Sequence, residues 1–137
     1  MIFPDSNILS EVSRKQPNLK VLDWLENNEG QLFLPAVVIG ELSYGIERIR
    51  PAERSVALSK AFTAILEKFS ARFVVFDSID ALHYGRLMGN SEQMGRKMSV
   101  VDGMHAALAL RHEAQLATRN RAHFEHLDVD LINPWTD

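Results

Sequence analysis

Short apolar runs alternate with stretches of helical spacing from one end of the chain to the other. Residues 2 to 5 predict a brief strand, followed by a short helix from Asn7 to about Val12 that breaks at Gln16-Pro17. Asn18 is placed to cap a helix through VLDWLE, where Val21, Leu22 and Leu25 recur at helical spacing, and Gly30 closes it. LFL at 32 to 34 predicts a second strand, after which Pro35 opens the helix AVVIGELSYGIERI with Ile39, Leu42, Ile46 and Ile49 on one stripe. Beyond Pro51, the positions of Val56, Leu58, Phe62, Ile65, Leu66 and Phe69 predict a long helix, and FVVF at 73 to 76 a third strand.

Asp77-Ser-Ile-Asp80 has the form of a helix-start box, and its helix runs through Leu87 before fading near Gly95-Arg96-Lys97. Ser99 then opens MSVVDGMHAALALRHE, whose alanines predict cover on more than one side. QLATR at 115 to 119 and DLIN at 130 to 133 complete a set of about five short strands. Strands alternating with helices imply crossover connections and therefore an α/β fold built on a mostly parallel sheet. No repeat, low-complexity run or linker interrupts the pattern, so residues 1–137 are expected to form a single domain. In such open sheets ligands bind beyond the carboxyl ends of the strands. Asp5 ends the first strand and Asn120 lies just past the fourth. Pro4 has no N–H to give a ladder, so the first strand either stops at Phe3 or leaves one rung unpaired.

Composition narrows the chemistry. With 137 residues, 46% hydrophobic and 24% charged, the chain can bury a normal globular core. Cysteine is absent, which excludes disulfides, thiolate zinc sites and a cysteine nucleophile, and any metal must be held by oxygen or imidazole. No basic segment precedes a long apolar run, and no window approaches the roughly 18 apolar residues that span a bilayer. A cytoplasmic protein with no membrane partner is expected. Net charge is −3, from 15 basic and 18 acidic residues, so attraction to nucleic acid would have to be local or supplied by a cation.

Four positions carry candidate chemistry, each with a plain alternative. Asp5 or Asn7 could cap the first helix, or Asp5 could bind a metal. Glu41 lies off the centre of its helix stripe, where a glutamate is either solvated or a ligand. Its neighbours Gly40 and Gly45 would weaken that helix unless something approaches closely. Asp102 stands three residues after Ser99 in a capping pattern, with Gly103 leaving the turn open. Asn120 is suited to cap the turn that follows it. His123 and His126 lack a third metal ligand, and His83, His105 and His112 read as surface or partly buried polar residues. No GxSxG, phosphate-cradling glycine loop or dinucleotide fingerprint is present.

Taken in order, PDSNILSEV, LPAVVIGELSYGIERI, GRKMSVVDGMHAALA and LATRNRAHFEHLDVDLINPW resemble PIN-domain ribonucleases, in particular VapC-type toxins of bacterial toxin–antitoxin pairs in the FitB-like branch. The resemblance implies a three-layer PIN-like fold and a Mg²⁺-dependent endoribonuclease, with Mn²⁺ as a possible substitute. It maps Asp5, Glu41 and Asp102 onto the acidic residues that gather a divalent ion, and Asn120 onto a fourth position that is acidic in many relatives. Asp5 and Asp102 would be direct ligands, with Glu41 binding directly or through water. Asn120, Ser6 and Asn7 would fix carboxylates or waters. Arg96, Lys97, Arg119 and Arg121 would meet RNA phosphates, unless they form only a solvated basic face. A cognate antitoxin and a homodimer are implied as partners, and Trp24, Tyr44 and Phe62 belong either to an interface or to the core, with the core expected. Two rival readings remain. One is a catalytically silent PIN-like module that only binds a partner, as the amide of Asn120 would allow. The other is an aspartate-nucleophile phosphatase, for which Asn7 stands where a second aspartate is wanted.

Overall fold

The computed structural model describes residues 1–137. Its strands are β1 (Ile2–Pro4), β2 (Leu34–Pro35), β3 (Phe73–Val74), β4 (Gln115–Ala117) and β5 (Leu131–Ile132). Every pairing is parallel: β1-β4-β5 form one ladder, β2-β3 another, and a single bridge from Ile2 to Leu32 joins them. The combined order is 3-2-1-4-5. Chain direction across the sheet reverses between β1 and β4, which is where open parallel sheets form their crevice.

The helices are α1 (Ser6–Ser10), α2 (Leu19–Asn28), α3 (Ala36–Glu47), α4 (Glu53–Lys68), α5 (Ser78–Gln93) and α6 (Val100–Arg111). None is long and apolar enough to cross a membrane. Alternation along the strands sends successive side chains into two separate cores. Phe3 and Leu116 join Leu87, Leu108 and Ala109 on the α5–α6 face, whereas Ile2 and Ala117 join Ile8, Val21, Val38 and Phe69 on the other. The sheet is thus the middle of three layers, as the sequence resemblance implies.

The helix starts follow local chemistry. Asn18 caps α2 and Ser99 caps α6, and Asp77 with Asp80 closes a reciprocal box at the start of α5. Arg111, in the last turn of α6, reaches both members of that box, at 2.6 Å from Asp77 and 3.0 Å from the fully buried Asp80.

Several expectations are corrected. The third strand is only Phe73–Val74, because Val75 already points to solvent. α2 ends at Asn28, before Gly30, and runs into a 3₁₀ turn. Tyr44 is 68% exposed and is not part of the core, whereas Trp24 packs against the core and Phe62 is partly buried. Gly40 and Gly45 face open space, so no close approach explains them. Gly103 is the opposite case, and its turn is closed rather than open. A Cβ there would collide with the Met88 sulfur and come within 2.9 Å of the Tyr84 ring, so the lack of a side chain lets α5 lie hard against α6.

Pro4 also finds its account. The Asp5 N–H donates to the Ala117 carbonyl at 2.9 Å, and the Ile2 carbonyl accepts from Phe33 N–H at 3.0 Å. Odd residues of β1 therefore face β4 and even ones face β2. The missing N–H of Pro4 falls on the β2 side, where the two ladders have already parted after a single bridge.

Candidate active site

Asp5 leaves β1 at the crevice and performs two tasks at once. Its Oδ1 accepts from the Ile8 N–H at 3.2 Å, capping α1, while Oδ2 accepts from the Thr118 hydroxyl at 2.7 Å. The residue is only 9% exposed. Burial pushes its carboxyl above the usual range; the Thr118 and Ile8 hydrogen bonds and nearby His105 pull it back, and neighbouring Glu41 adds a further upward push.

Glu41 enters from α3, the middle of a helix the sequence starts at Pro35. Its Oε1 lies 2.7 Å from His105 Nε2, and its Oε2 accepts from the Ser6 hydroxyl at 3.2 Å. His105 is 4% exposed, not the surface or partly buried residue expected. It stands one turn beyond Asp102 on α6, so both side chains face the same way. The capping and ligand alternatives for Asp102 also turn out compatible. Its N–H donates to Ser99 Oγ at 3.2 Å, which leaves the carboxylate free to approach His123 Nδ1, at 2.9 Å.

Asn120 begins the 3₁₀ turn Arg121–His123, yet its side chain makes no capping bond, contrary to expectation. Its backbone N–H instead donates to Thr118 Oγ1 at 3.1 Å. Asp5, Ser6, Asn7, Glu41, Asp102 and Asn120 all line one small cleft, together with His105 and Thr118. The sequence reading missed Thr118, His105 and the contact of His123. The signals were present: a hydroxyl ending an apolar strand, and a histidine one turn from Asp102 on an alanine-rich face.

Three carboxylates from three elements give a hard, all-oxygen donor set suited to Mg²⁺, and a cation would relieve both causes that raise Asp5. The carboxylates do not form a closed shell, and no three ionisable groups stand close enough to ligate one ion. Each is instead engaged by protein groups: Thr118 and Ile8 on Asp5, Ser6 and His105 on Glu41, and His123 on Asp102. The donor set still fits Mg²⁺, which keeps several waters and takes few carboxylates directly.

Of the four basic candidates, Arg96 and Lys97 line a cavity of about 250 Å³ that shares Asp102 with the cleft and is completed by His123 and His126. Arg121 is occupied elsewhere, bonded to Asp137 and to the Leu131 carbonyl. Arg119 lies over the Trp135 ring at 5.1 Å. A larger groove of about 420 Å³ runs between α1, α3 and α4, with Leu42, Phe62 and Ile65 in its wall and Arg14, Arg48 and Arg54 beside them. It opens onto Ser6 and Glu41.

The family described as "PIN domain" matches residues 2–130. Among curated proteins, the chain is 32% identical to Toxin FitB of Neisseria gonorrhoeae, covering 100% of both. It is 30% identical to VapC ribonuclease Y4jK of Sinorhizobium fredii, covering 98% of each. Among solved structures, FitAcB from Neisseria gonorrhoeae superimposes with a TM-score of 0.91 at 31% identity, covering 100% of both chains.

Proposed function

This chain belongs to the PIN-domain family, alongside the FitB and VapC toxins, and from that membership we propose that it is the toxin of a toxin–antitoxin pair, a Mg²⁺-dependent endoribonuclease acting as a single domain. The observation that carries the reading is the meeting of Asp5, Glu41 and Asp102, from three separate elements, in one cleft at the switch point of the sheet.

Asp5 and Asp102 hold the ion, and Glu41 holds it directly or through water. When bound, the ion polarises the scissile phosphate and stabilises the leaving oxygen. Mn²⁺, with similar oxygen chemistry, is a substitute. Glu41 accepts a hydrogen bond from the attacking water and orients it. Ser6, Asn7 and Asn120 hold waters and carboxylates in place, and Thr118 keeps Asp5 turned toward the cleft. Arg96 and Lys97 give local positive charge beside Asp102, which a chain of net charge −3 needs if it is to hold an RNA phosphate. The apolar groove between α1, α3 and α4 suits a segment of a cognate antitoxin, which would cover the Glu41 side of the cleft. The relative named Toxin FitB, and the FitAcB and FitAB structures at 31% and 30% identity, support such a partner. A homodimer in the cytoplasm completes the proposal.

The test is expression of the wild type and Asp5→Ala in a bacterial host, with RNA 5′ ends mapped afterwards. Cleavage by the wild type alone, abolished by EDTA in the purified protein, is expected. Equal cleavage by both overturns the mechanism. A silent, partner-binding module is the second reading, favoured by the lack of a closed coordination shell. It predicts no divalent-ion binding at all.

A further inference from the structure

We propose that His105 is a positioning residue that fixes the Glu41 carboxylate across the cleft, so that α6 sets the placement of two acidic groups rather than one. The inference rests on the reading of the cleft as a metal-dependent hydrolytic site and adds to it a residue with no assigned part.

Glu41 and His105 are 64 positions apart in sequence and meet at 2.7 Å. A carboxylate oxygen can only accept, so Nε2 must carry the hydrogen. Nδ1 is buried with no protein partner. A bare lone pair there is less costly than an orphaned N–H, which makes the Nε2–H tautomer the one the surroundings select. The imidazole is thereby committed to one carboxylate oxygen and to nothing else.

Glu41 needs such a partner. Its side chain is 29% exposed and has freely turning bonds that would let it swing toward water. The Ser6 hydroxyl restrains the other oxygen, but at 3.2 Å, and Ser6 comes from the short helix α1. His105 is almost fully enclosed in the alanine-rich face of α6, where its own rotamer is held by packing. Asp102 occupies the turn before it. One helix therefore aims Asp102 by its backbone and Glu41 through an imidazole. A histidine buried only to clamp α3 to α6 would use the same bond, so the test has to separate orientation of Glu41 from stability.

Gln at position 105 can place an amide N–H near the position of Nε2, whereas Leu fills the space without a donor. Mn²⁺ affinity is measured on the full chain without RNA, by electron paramagnetic resonance, for wild type, His105→Leu and His105→Gln, with thermal melts alongside. For folded H105L we expect Mn²⁺ affinity to fall by about 10- to 100-fold, the usual effect of losing a group that orients a metal ligand. H105Q should recover most of it, and on RNA the H105L loss should lie in kcat with KM little changed. Nitrogen-15 NMR of the wild type should show the Nε2–H tautomer, a readout that survives even if H105L fails to fold. Unchanged Mn²⁺ affinity in folded H105L, H105Q no better than H105L, or the opposite tautomer overturns the proposal. A wild type that binds no Mn²⁺ overturns the underlying reading as well, which keeps the two failures distinct.

Discussion

Thr118 donates a 2.7 Å hydrogen bond to Asp5 across the junction of β1 and β4, and burial still outweighs it in setting the ionisation of that carboxylate. A carboxyl raised in the folded state favours folding when protonated. That contribution is full below its ordinary value of 3.8 and lost as pH rises through the raised one. Above that raised value the ionised Asp5 therefore opposes folding. Asp5→Asn should stabilise the metal-free protein by about 0.5–2 kcal/mol in urea unfolding at neutral pH, with the gain shrinking under acid. Mg²⁺ should raise the melting temperature of the wild type and not of D5N. A less stable D5N would show that Asp5 is held mainly by its hydrogen bonds.

Gly103→Ala should cost about 1–3 kcal/mol, since the new methyl must displace Met88 and press on the Tyr84 ring between α5 and α6. The urea midpoint is the measurement. No change would mean that Met88 swings aside without cost.

Asn120→Asp places a fourth carboxylate in the cleft that Asp5 lines. Like charges raise one another's pKa, so the variant should unfold at lower urea than wild type in EDTA, yet bind Mn²⁺ more tightly in a calorimetric titration. Loss of stability without any gain in affinity would argue that position 120 lies outside the ion's reach.

Asp77 is held down at about 2, first by the Asp80 backbone N–H and then by Arg111. A depressed carboxyl contributes stability that is present above its ordinary 3.8 and lost as pH falls through the folded value. The difference in urea midpoint between wild type and Asp77→Ala should hold steady from neutrality to about pH 4 and then narrow toward pH 2. A difference that persists at the lowest pH would place the effect in helix propensity instead.

The parts of the fold that sequence made legible are those written in short-range pattern. Asn18, Ser99 and the Asp77–Asp80 box act within three residues of themselves, and alternating apolar runs name their own elements. The acidic cleft was legible because strand ends and helix starts must collect at one edge of a parallel sheet. The residues that escaped carried local signals, but their partners across the fold did not: His105 with Glu41, Thr118 with Asp5, and His123 with Asp102. Asn120 followed the reverse path. Its residue type favours a cap, but the His123 N–H that a cap would bind already donates to the Asn120 carbonyl at 3.1 Å, and its side chain is left for the cleft.

Pro4 gains its meaning from a structure that does not form. If β1 slid one residue along β4, the proline nitrogen would turn toward β4 and a ladder donor would be lost. Ile2 and Phe3 would exchange cores in the same step. The proline thus acts as a stop against misalignment, and the residue it holds in place is the next one, Asp5.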